Sequence, residues 1–427
     1  MNEQIKQRIT QLNNGEVPSG YEKTDFGIFP CDWIKDKTFG DLFDFYGGLG
    51  KSRDELGDEG HAYLHYGDLH RGTFNVVSHE QYEHLPKYDV SLKGNETYLM
   101  EDGDVAFLDA SEDLEGTSRA VVIDNPNNEP FIAGLHIIYG KSKTDSLDKW
   151  YKQYITLPES VRKQFQRLSV GFKVYGVNRE TLPKIQLAYP RSTEEQSKIA
   201  EILMKWDEVV ALYDGLIKAI ETKRNHFIKQ ITIKSSNWKT YSLMEILEEF
   251  VEYTTVNNQH EVLSSTKQGL LAQSEYFDKQ VASENNVGYK VIRRGNLVLS
   301  PQNLWLGNIN YNDNFEVGIV SPSYKIFRIK DGFDKTLVST IMKLPIMLHK
   351  YVLSSEQGAS VVRRNLNMDL FYQITVSLPD LKTQQKLGNV IATINNQILL
   401  YQAELDTIKK QRKALKQYLL NGIVRVK

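Results

Sequence analysis

The sequence predicts an α+β chain in which two mixed α/β globular domains are separated by two long antiparallel coiled-coil helices, related by an internal pseudo-two-fold repeat. Three observations predict it. Apolar residues recur in alternating steps of four and three over two long stretches, the spacing of a coiled-coil seam. The two stretches match position by position at one offset of 188 residues. Between them lie short β-prone segments punctuated by Gly, Asn and Asp, as strands joined by turns are.

The first seam runs through Ile199, Leu203, Trp206, Val210, Tyr213, Ile217, Ile220, Arg224, Phe227 and Ile231. The second runs through Leu387, Ile391, Ile394, Ile398, Tyr401, Leu405, Ile408, Arg412, Leu415 and Leu419. Both carry an arginine at the same step, and a seam charge sets register or faces a partner protein. Upstream, Ile185, Leu187 and Pro190 correspond to Ile374, Val376 and Pro379, and each strand-proline pair leads into a Gln-containing helix start, Glu195-Gln196 and Gln384-Gln385. Trp33, Leu42 and Phe45 correspond to Trp238, Leu247 and Phe250, and Gly103-Asp104-Val105 to Gly295-Asn296-Leu297. Leu12, Asn14-Gly15 and Val17 echo Leu420, Asn421-Gly422 and Val424 at the other terminus. Strands are expected over Tyr63–Leu69, Asp104–Leu108, Arg119–Ile123, Ile132–Tyr139, Val291–Leu299 and Gly318–Ile329. The organisation is a segment over 1–20, a globule over 21–190, a helix over 191–234, a second globule over 235–379, and a helix with its tail over 380–427.

Composition is that of an ordinary globular chain: 427 residues, 41% hydrophobic, 25% charged and a net charge of −2, with two or three domains expected at this length. The single cysteine, Cys31, cannot pair within the chain and suits a reducing compartment. Met1 to Thr10 lacks an apolar signal core, and no run approaches the ~18 apolar residues of a membrane helix. A secreted disulfide scaffold and a membrane protein are set aside, and a cytoplasmic location is expected. The charge is uneven. Residues 21–163 hold 15 Lys and Arg against 27 Asp and Glu, a net of −12, which leaves +10 for the rest. An acidic first globule argues against nucleic acid, although phosphate contacts need only a local basic face.

Catalytic signatures are weak. The only Asn-Pro, Asn125-Pro126-Asn127, is not the Pro-Pro-aromatic tetrapeptide that holds a flipped adenine. Gly47-Gly48-Leu49-Gly50-Lys51-Ser52 resembles a phosphate loop, but Phe45 stands where its first glycine belongs. His61, His65, Asp68 and His70 read as histidines beside a strand, or as an open metal cluster. Glu221-Thr222-Lys223 has a nuclease-like spacing, but neighbouring helix positions do not converge. No Gly-x-Ser-x-Gly or Cys/His nucleophile motif occurs. The positions from Ile199 to Ile231 give about 50 Å of helix, a ruler longer than one DNA turn of about 34–36 Å. Such a chain could read two half-sites separated by unread base pairs, or hold proteins apart as a two-lobed scaffold.

The chain resembles the specificity subunit of type I restriction–modification systems over nearly its whole length. The resemblance rests on Gly20-Tyr21 with Gly27-Ile28 and Pro30-x-Asp32-Trp33, on Gly47-Gly48 followed by Tyr66-Gly67-Asp68 as a Gly-Asp turn, and on Gly318-Ile319-Val320-Ser321-Pro322 with Tyr324. It rests also on the strand-proline-Glu-Gln-x-x-Ile entry at Ile185 to Ile199 and its degenerate copy Thr383-Gln384-Gln385-Lys386-Leu387. The resemblance implies a non-catalytic reader of double-stranded DNA, with target recognition domains over 21–190 and 235–379 that bind the halves of an asymmetric bipartite site. It implies two modification subunits carrying S-adenosylmethionine, which methylate adenine, and two restriction subunits using ATP and Mg. No cofactor is expected in this chain itself. A complex without the restriction arm is a further possibility.

Loops just before each helix-entry strand are the first DNA-binding candidates: Arg167, Ser169, Gly171, Lys173 and Tyr175 in the first half, and Gln357, Gly358, Ser360, Arg363, Arg364 and Asn365 in the second. Arg pairs bidentately with guanine or neutralises phosphate, and Gln and Asn pair with adenine. Lys51, Ser52 and Arg53, and Gln302 with Asn303 before Trp305, are second-line candidates. Trp206, Tyr213, Arg224, Tyr401 and Arg412 are candidates for the helix seam or for partner contact.

Overall fold

A computed structural model describes residues 3–71, 75–111, 118–168, 175–233, 238–266, 269–276, 285–357 and 364–426. It divides into two compact units, residues 1–214 with 404–427 and residues 215–403. No helix among the described residues is long and apolar enough to cross a membrane.

The core of the first unit is a sheet of β1 (Phe43–Gly47), β2 (Val105–Leu108), β3 (Ala120–Ile123) and β4 (Ile137–Ser142) in the order β1-β4-β2-β3, with Val76–Val77 added parallel at the β3 edge. The second unit repeats it with β5 (Leu247–Glu249), β6 (Asn296–Leu299), β7 (Ile309–Tyr311) and β8 (Lys325–Ile329) in the order β5-β8-β6-β7. In each unit the first long strand closes against the last: Trp33–Thr38 pairs with Gln186–Pro190, and Lys239–Ser242 with Thr375–Leu378.

Both faces of each sheet are covered, which explains the near-continuous apolar runs. Val105 and Phe107 face one cluster with Phe39, Phe43, Tyr154 and Phe165, while Ala106 and Leu108 face another with Leu64, Phe131 and Tyr139. In the second unit Leu297 and Leu299 pack with Phe327, Tyr351 and Phe371, and Val298 packs with Leu263, Val320 and Ile326.

The aligned Gly-Asp and Gly-Asn steps have one role. Asp104 accepts the Glu101 N–H at 2.8 Å, and Asn296 accepts the Arg293 N–H at 2.8 Å. Both side chains are buried. Burial pushes the Asp104 carboxyl up to about 6, although Lys141 and Lys152 lie nearby.

The long helices span Thr193–Ile233 and Leu381–Leu420, and every one of the twenty seam positions is buried or half-buried. In the first unit Asp207 meets Arg412 and Lys416, and Asp214 meets Lys409, so the helix segments run antiparallel. In the second unit Arg224 donates to Asn395 at 3.1 Å. Asn395 is Asp207 displaced by 188, and Arg412 is Arg224 displaced by 188. One contact is thus built twice, once charged and once neutral. Ile199, Leu203, Leu419 and Leu420 join the core of the first unit, and Ile228 and Ile391 that of the second.

The terminal echo has a structural counterpart. The helices Glu3–Asn13 and Leu381–Leu420 each run into an Asn-Gly whose glycine is left-handed, Gly15 at φ +74° and Gly422 at φ +69°. The Tyr21 hydroxyl and the Arg8 guanidinium donate to the carbonyls of Gly422 and Ile423. Arg425 then pairs with Glu195 and Asp32.

Several expected strands divide. Tyr63–Leu69 becomes the strand His61–Leu64 and the short helix Tyr66–Arg71, so Tyr66-Gly67-Asp68 is helical rather than a turn. Ile132–Tyr139 breaks at Gly134–His136, where His136 adopts φ +59°. Val291–Leu299 breaks at Arg294-Gly295, and Gly318–Ile329 at Ser321–Tyr324, so that the two halves of each enter different sheets. Apolar composition is continuous across these tight turns, so periodicity alone does not reveal them.

Asp104→Asn is expected to raise stability. The folded pKa lies above the unfolded one, so folding disfavours the carboxylate, and the cost is complete above about pH 6 and disappears toward pH 4. The gain is up to about 3 kcal/mol at pH 7.5 and absent at pH 4. Urea unfolding at the two pH values measures it.

Candidate nucleic-acid interface

Strand register decides which loops meet. Gly47 lies opposite Ile138, and Leu108 opposite Ile137. The segments after β1, between β2 and β3, and before β4 therefore leave one end of the first sheet. In the second unit Glu249 lies opposite Phe327, and Leu299 opposite both Lys325 and Ile309, so the equivalent segments leave the equivalent end. Loops carried on a rigid sheet are where binding groups concentrate.

The Gly-rich loop of the first unit is fixed from behind. Gly48 donates to the Ile137 carbonyl and Leu49 to the Ala133 carbonyl. A Cβ on Gly48 would stand 1.8 Å from the Gly134 carbonyl oxygen, so no other residue fits. Tyr63 is fully buried, and its hydroxyl accepts the N–H groups of Lys51 at 3.1 Å and Leu135 at 2.8 Å while donating to the Leu49 carbonyl. One phenol thus ties residues 49–51 to the 134–136 crossing, and burial raises its pKa.

On that base Ser52 caps a single 3-10 turn, Arg53–Glu55, with its N–H and hydroxyl held by the Glu55 carboxylate. Lys51 reaches the same carboxylate at 2.8 Å and lies over the Tyr88 ring. Lys51 first, and then the Ser52 N–H and hydroxyl, hold the Glu55 carboxyl down at about 2. A phosphate loop would instead lead its lysine into a helix. Arg53 donates to both oxygens of Asp68 at 2.9 Å. Beside it the His65 ring lies tilted against Tyr66, Tyr66 meets His136 edge-on, and His136 bonds Asp109 at 2.9 Å. Burial lowers the pKa of His65. No group of three His, Cys, Asp or Glu among the described residues is placed to hold a metal.

Asp109 is also where the two sets of candidates in the first half meet. Its N–H bonds the His136 carbonyl, its carbonyl accepts from Val177, and Ala110–Ser111 pairs with Tyr175–Gly176. The segment holding Tyr175 therefore joins the same end of the sheet as Lys51, Ser52 and Arg53. Arg167 is exposed in the last turn of the helix Glu159–Leu168. Ser169, Gly171 and Lys173 lie outside the described residues.

The second unit also joins its two sets of candidates. Gln302 is exposed, and Asn303 precedes the 3-10 turn Leu304–Leu306. Gln357 and Asn365 are not in a loop but in a hairpin, Ser355–Gln357 with Arg364–Leu366. Asn365 is exposed, and Arg364 lies over the Trp305 ring at 5.5 Å. Gly358, Ser360 and Arg363 lie outside the described residues. Of the other candidates, Trp206, Tyr213, Arg224, Tyr401 and Arg412 are half-buried in the seam.

Two side chains escaped sequence reasoning. Arg179 is exposed and lies against Gly47. Trp305 carries Arg364. The alignment of residues 300–308 with the β2–β3 loop is the signal that could have found Trp305; nothing local marks Arg179.

Residues 34–222 match the family model described as Type I restriction modification DNA specificity domain. Among solved structures, the chain is similar to the S subunit of a type I restriction-modification system from M. genitalium. Identity there is 13%, the TM-score is 0.54, and the match covers 91% of this chain and 96% of that one. It is also similar to a chain in a structure concerned with complex assembly and conformational transition of the type I R-M system. That match has 12% identity and a TM-score of 0.52, and covers 96% and 100% of the two chains. At these identities the likeness is one of fold.

Tyr63→Phe removes the acceptor of two part-buried backbone N–H groups. It is expected to cost about 2–4 kcal/mol and to raise amide exchange at Lys51 and Leu135 ahead of the sheet. Thermal melting with hydrogen exchange checks both effects; equal exchange in the two proteins would show that the phenol does not hold the loop.

Proposed function

We propose, for a chain whose residues 34–222 match the family model described as Type I restriction modification DNA specificity domain, that it is the DNA-recognition subunit of a type I restriction–modification complex. The observation that carries this reading is duplication with divergence. Two sheets of one strand order present loops from the same end, and the side chains on those loops differ. Lys51, Arg53 and Tyr66 stand in one unit, and Gln302, Trp305 and Arg364 in the other. Similar frames with different edges suit two unlike half-sites, hence an asymmetric bipartite target.

The chain is non-catalytic in this reading. Two modification subunits carrying S-adenosylmethionine methylate adenine, and two restriction subunits use ATP and Mg to cleave. Arg224 and Arg412 are occupied within the seam by Asn395 and Asp207. The better partner surface in the second unit is the outward side of its helix at the adjacent Leu399 and Leu400, 55% and 71% exposed, since adjoining exposed apolar side chains suit a protein contact. The net charge of −12 over residues 21–163 favours a second reading, a scaffold without DNA contact.

Adenine methylation read across the native genome, with and without the gene, separates the two. Loss of an asymmetric two-part methylated motif is expected; unchanged methylation together with no specific binding by the purified subunit–methyltransferase complex would leave the scaffold. For the partner surface, Leu399→Glu with Leu400→Glu is expected to abolish co-purification with the modification subunit while leaving the melting temperature within a few degrees. Retained co-purification would place that subunit elsewhere.

A further inference from the structure

Arg364 stands apart from the ion-paired arginines among the described residues; like Arg328, which lies over Phe250 at 4.1 Å, it faces an aromatic ring instead. Arg53 is paired with Asp68, Arg293 with Glu252, Arg294 with Glu316, Arg412 with Asp207, and Arg425 with Glu195 and Asp32. Among the described residues Arg364 meets no carboxylate and makes no hydrogen bond through its side chain. Its partner among the described residues is the face of Trp305, at 5.5 Å from guanidinium carbon to ring centroid. An arginine on an aromatic face keeps its planar donor fork unused and held in orientation.

Both backbones beneath this pair are tied to the core of the unit. Trp305 is the middle of the turn Leu304–Leu306, which Leu304 anchors in the core with no exposure and which packs on the helix Pro345–Leu353. Arg364 opens a strand paired with Ser355–Gln357, and Leu366, two positions on and so on the same face, packs on the core. The Trp305 indole Nε1 is buried without an acceptor, a cost that phenylalanine would avoid. What indole offers in return is the strongest cation–π face. A phosphate can be met by a mobile point charge such as lysine, whereas a guanine edge, with O6 and N7 side by side, is matched by an oriented guanidinium fork.

We infer that Arg364, held by Trp305, reads a guanine in the half-site recognised by residues 215–403. The inference rests on the reader role proposed above and gives it a base and a residue. Arg364 is the contacting group, and Trp305 is a positioning residue.

The full chain is co-expressed with its modification partner in a methylation-free host, and adenine methylation is read across the genome. The unaltered chain is expected to yield a two-part motif with guanine at a fixed position in one half. Arg364→Lys keeps the charge and loses the fork, so that guanine is expected to lose its preference by about tenfold or more, with the other half and the spacer unchanged. Trp305→Ala is expected to relax the same position, and Trp305→Phe to restore much of it; a residue needed only for folding would lower methylation evenly. Should Trp305→Ala fail to fold, Arg364→Lys and Arg364→Gln, at a half-buried position of the hairpin, carry the decision alone. An unchanged motif in Arg364→Lys with even loss in Arg364→Ala would mean a phosphate contact, and unchanged methylation in both would mean no contact. Either result overturns the guanine assignment and leaves the reader role standing. No two-part motif with the unaltered chain would remove the reader role itself, and the inference with it.

Discussion

Two buried carboxamides hold each globule to the helix that leaves it. Gln196 donates to the carbonyls of Ser146 and Pro190 at 2.8 Å and accepts the Asp148 N–H at 2.7 Å. Gln384, displaced by 188, donates to the Pro379 carbonyl at 2.9 Å and accepts the Asp334 N–H at 3.0 Å. Asp148 and Asp334 in turn accept the N–H groups of Tyr151 and Leu337, which open the next helical segments. Strand end, helix start and a distant turn are thus joined through one side chain. Both glutamines are essentially unexposed, so each unmade bond would leave a buried group unsatisfied, at about 1–3 kcal/mol. This knot sets the rotation of each helix about its axis. Rotation decides which residues form the seam, and so which residues face outward.

Net charge and local charge give different accounts of the first unit, and the local one matters for recognition. Its surface is acidic, yet the loops at the sheet end carry Lys51, Arg53, His136 and Arg179. Lys51 and Arg53 are already held by Glu55 and Asp68, so neither cation is free of a carboxylate. The second unit leaves Arg364 without one among the described residues. Two frames with the same strand order therefore differ in the strength of their electrostatic attraction as well as in the edges they present.

The long-range plan was legible because it is written in local rules. The seams obey a spacing that holds whatever the helix touches, and Gln196 and Gln384 stood out because the repeat placed them at one step. Strand limits were less legible. Arg294-Gly295 and Ser321–Tyr324 turn within runs that stay apolar on both sides, because strands covered on both faces lose their alternation. The candidate loops were visible as Gly-rich and basic, but their company was not. Tyr63 and Asp109 are ordinary residues in sequence, and they become junctions only when 49–51, 134–136 and 175–177 are brought to one sheet end.

By itself the amino-acid order determined the duplication, the two helices, the seam and the absence of a recognisable catalytic motif, since each depends on residue type and spacing along one chain. Tertiary structure alone decided that Arg53 is paired with a carboxylate while Arg364, among the described residues, is not, and that Trp305 lies beneath the latter. The reason is distance. The orientation and charge balance of an arginine depend on which side chain lies within a few ångströms, and for Arg364 that side chain is 59 residues away in the chain.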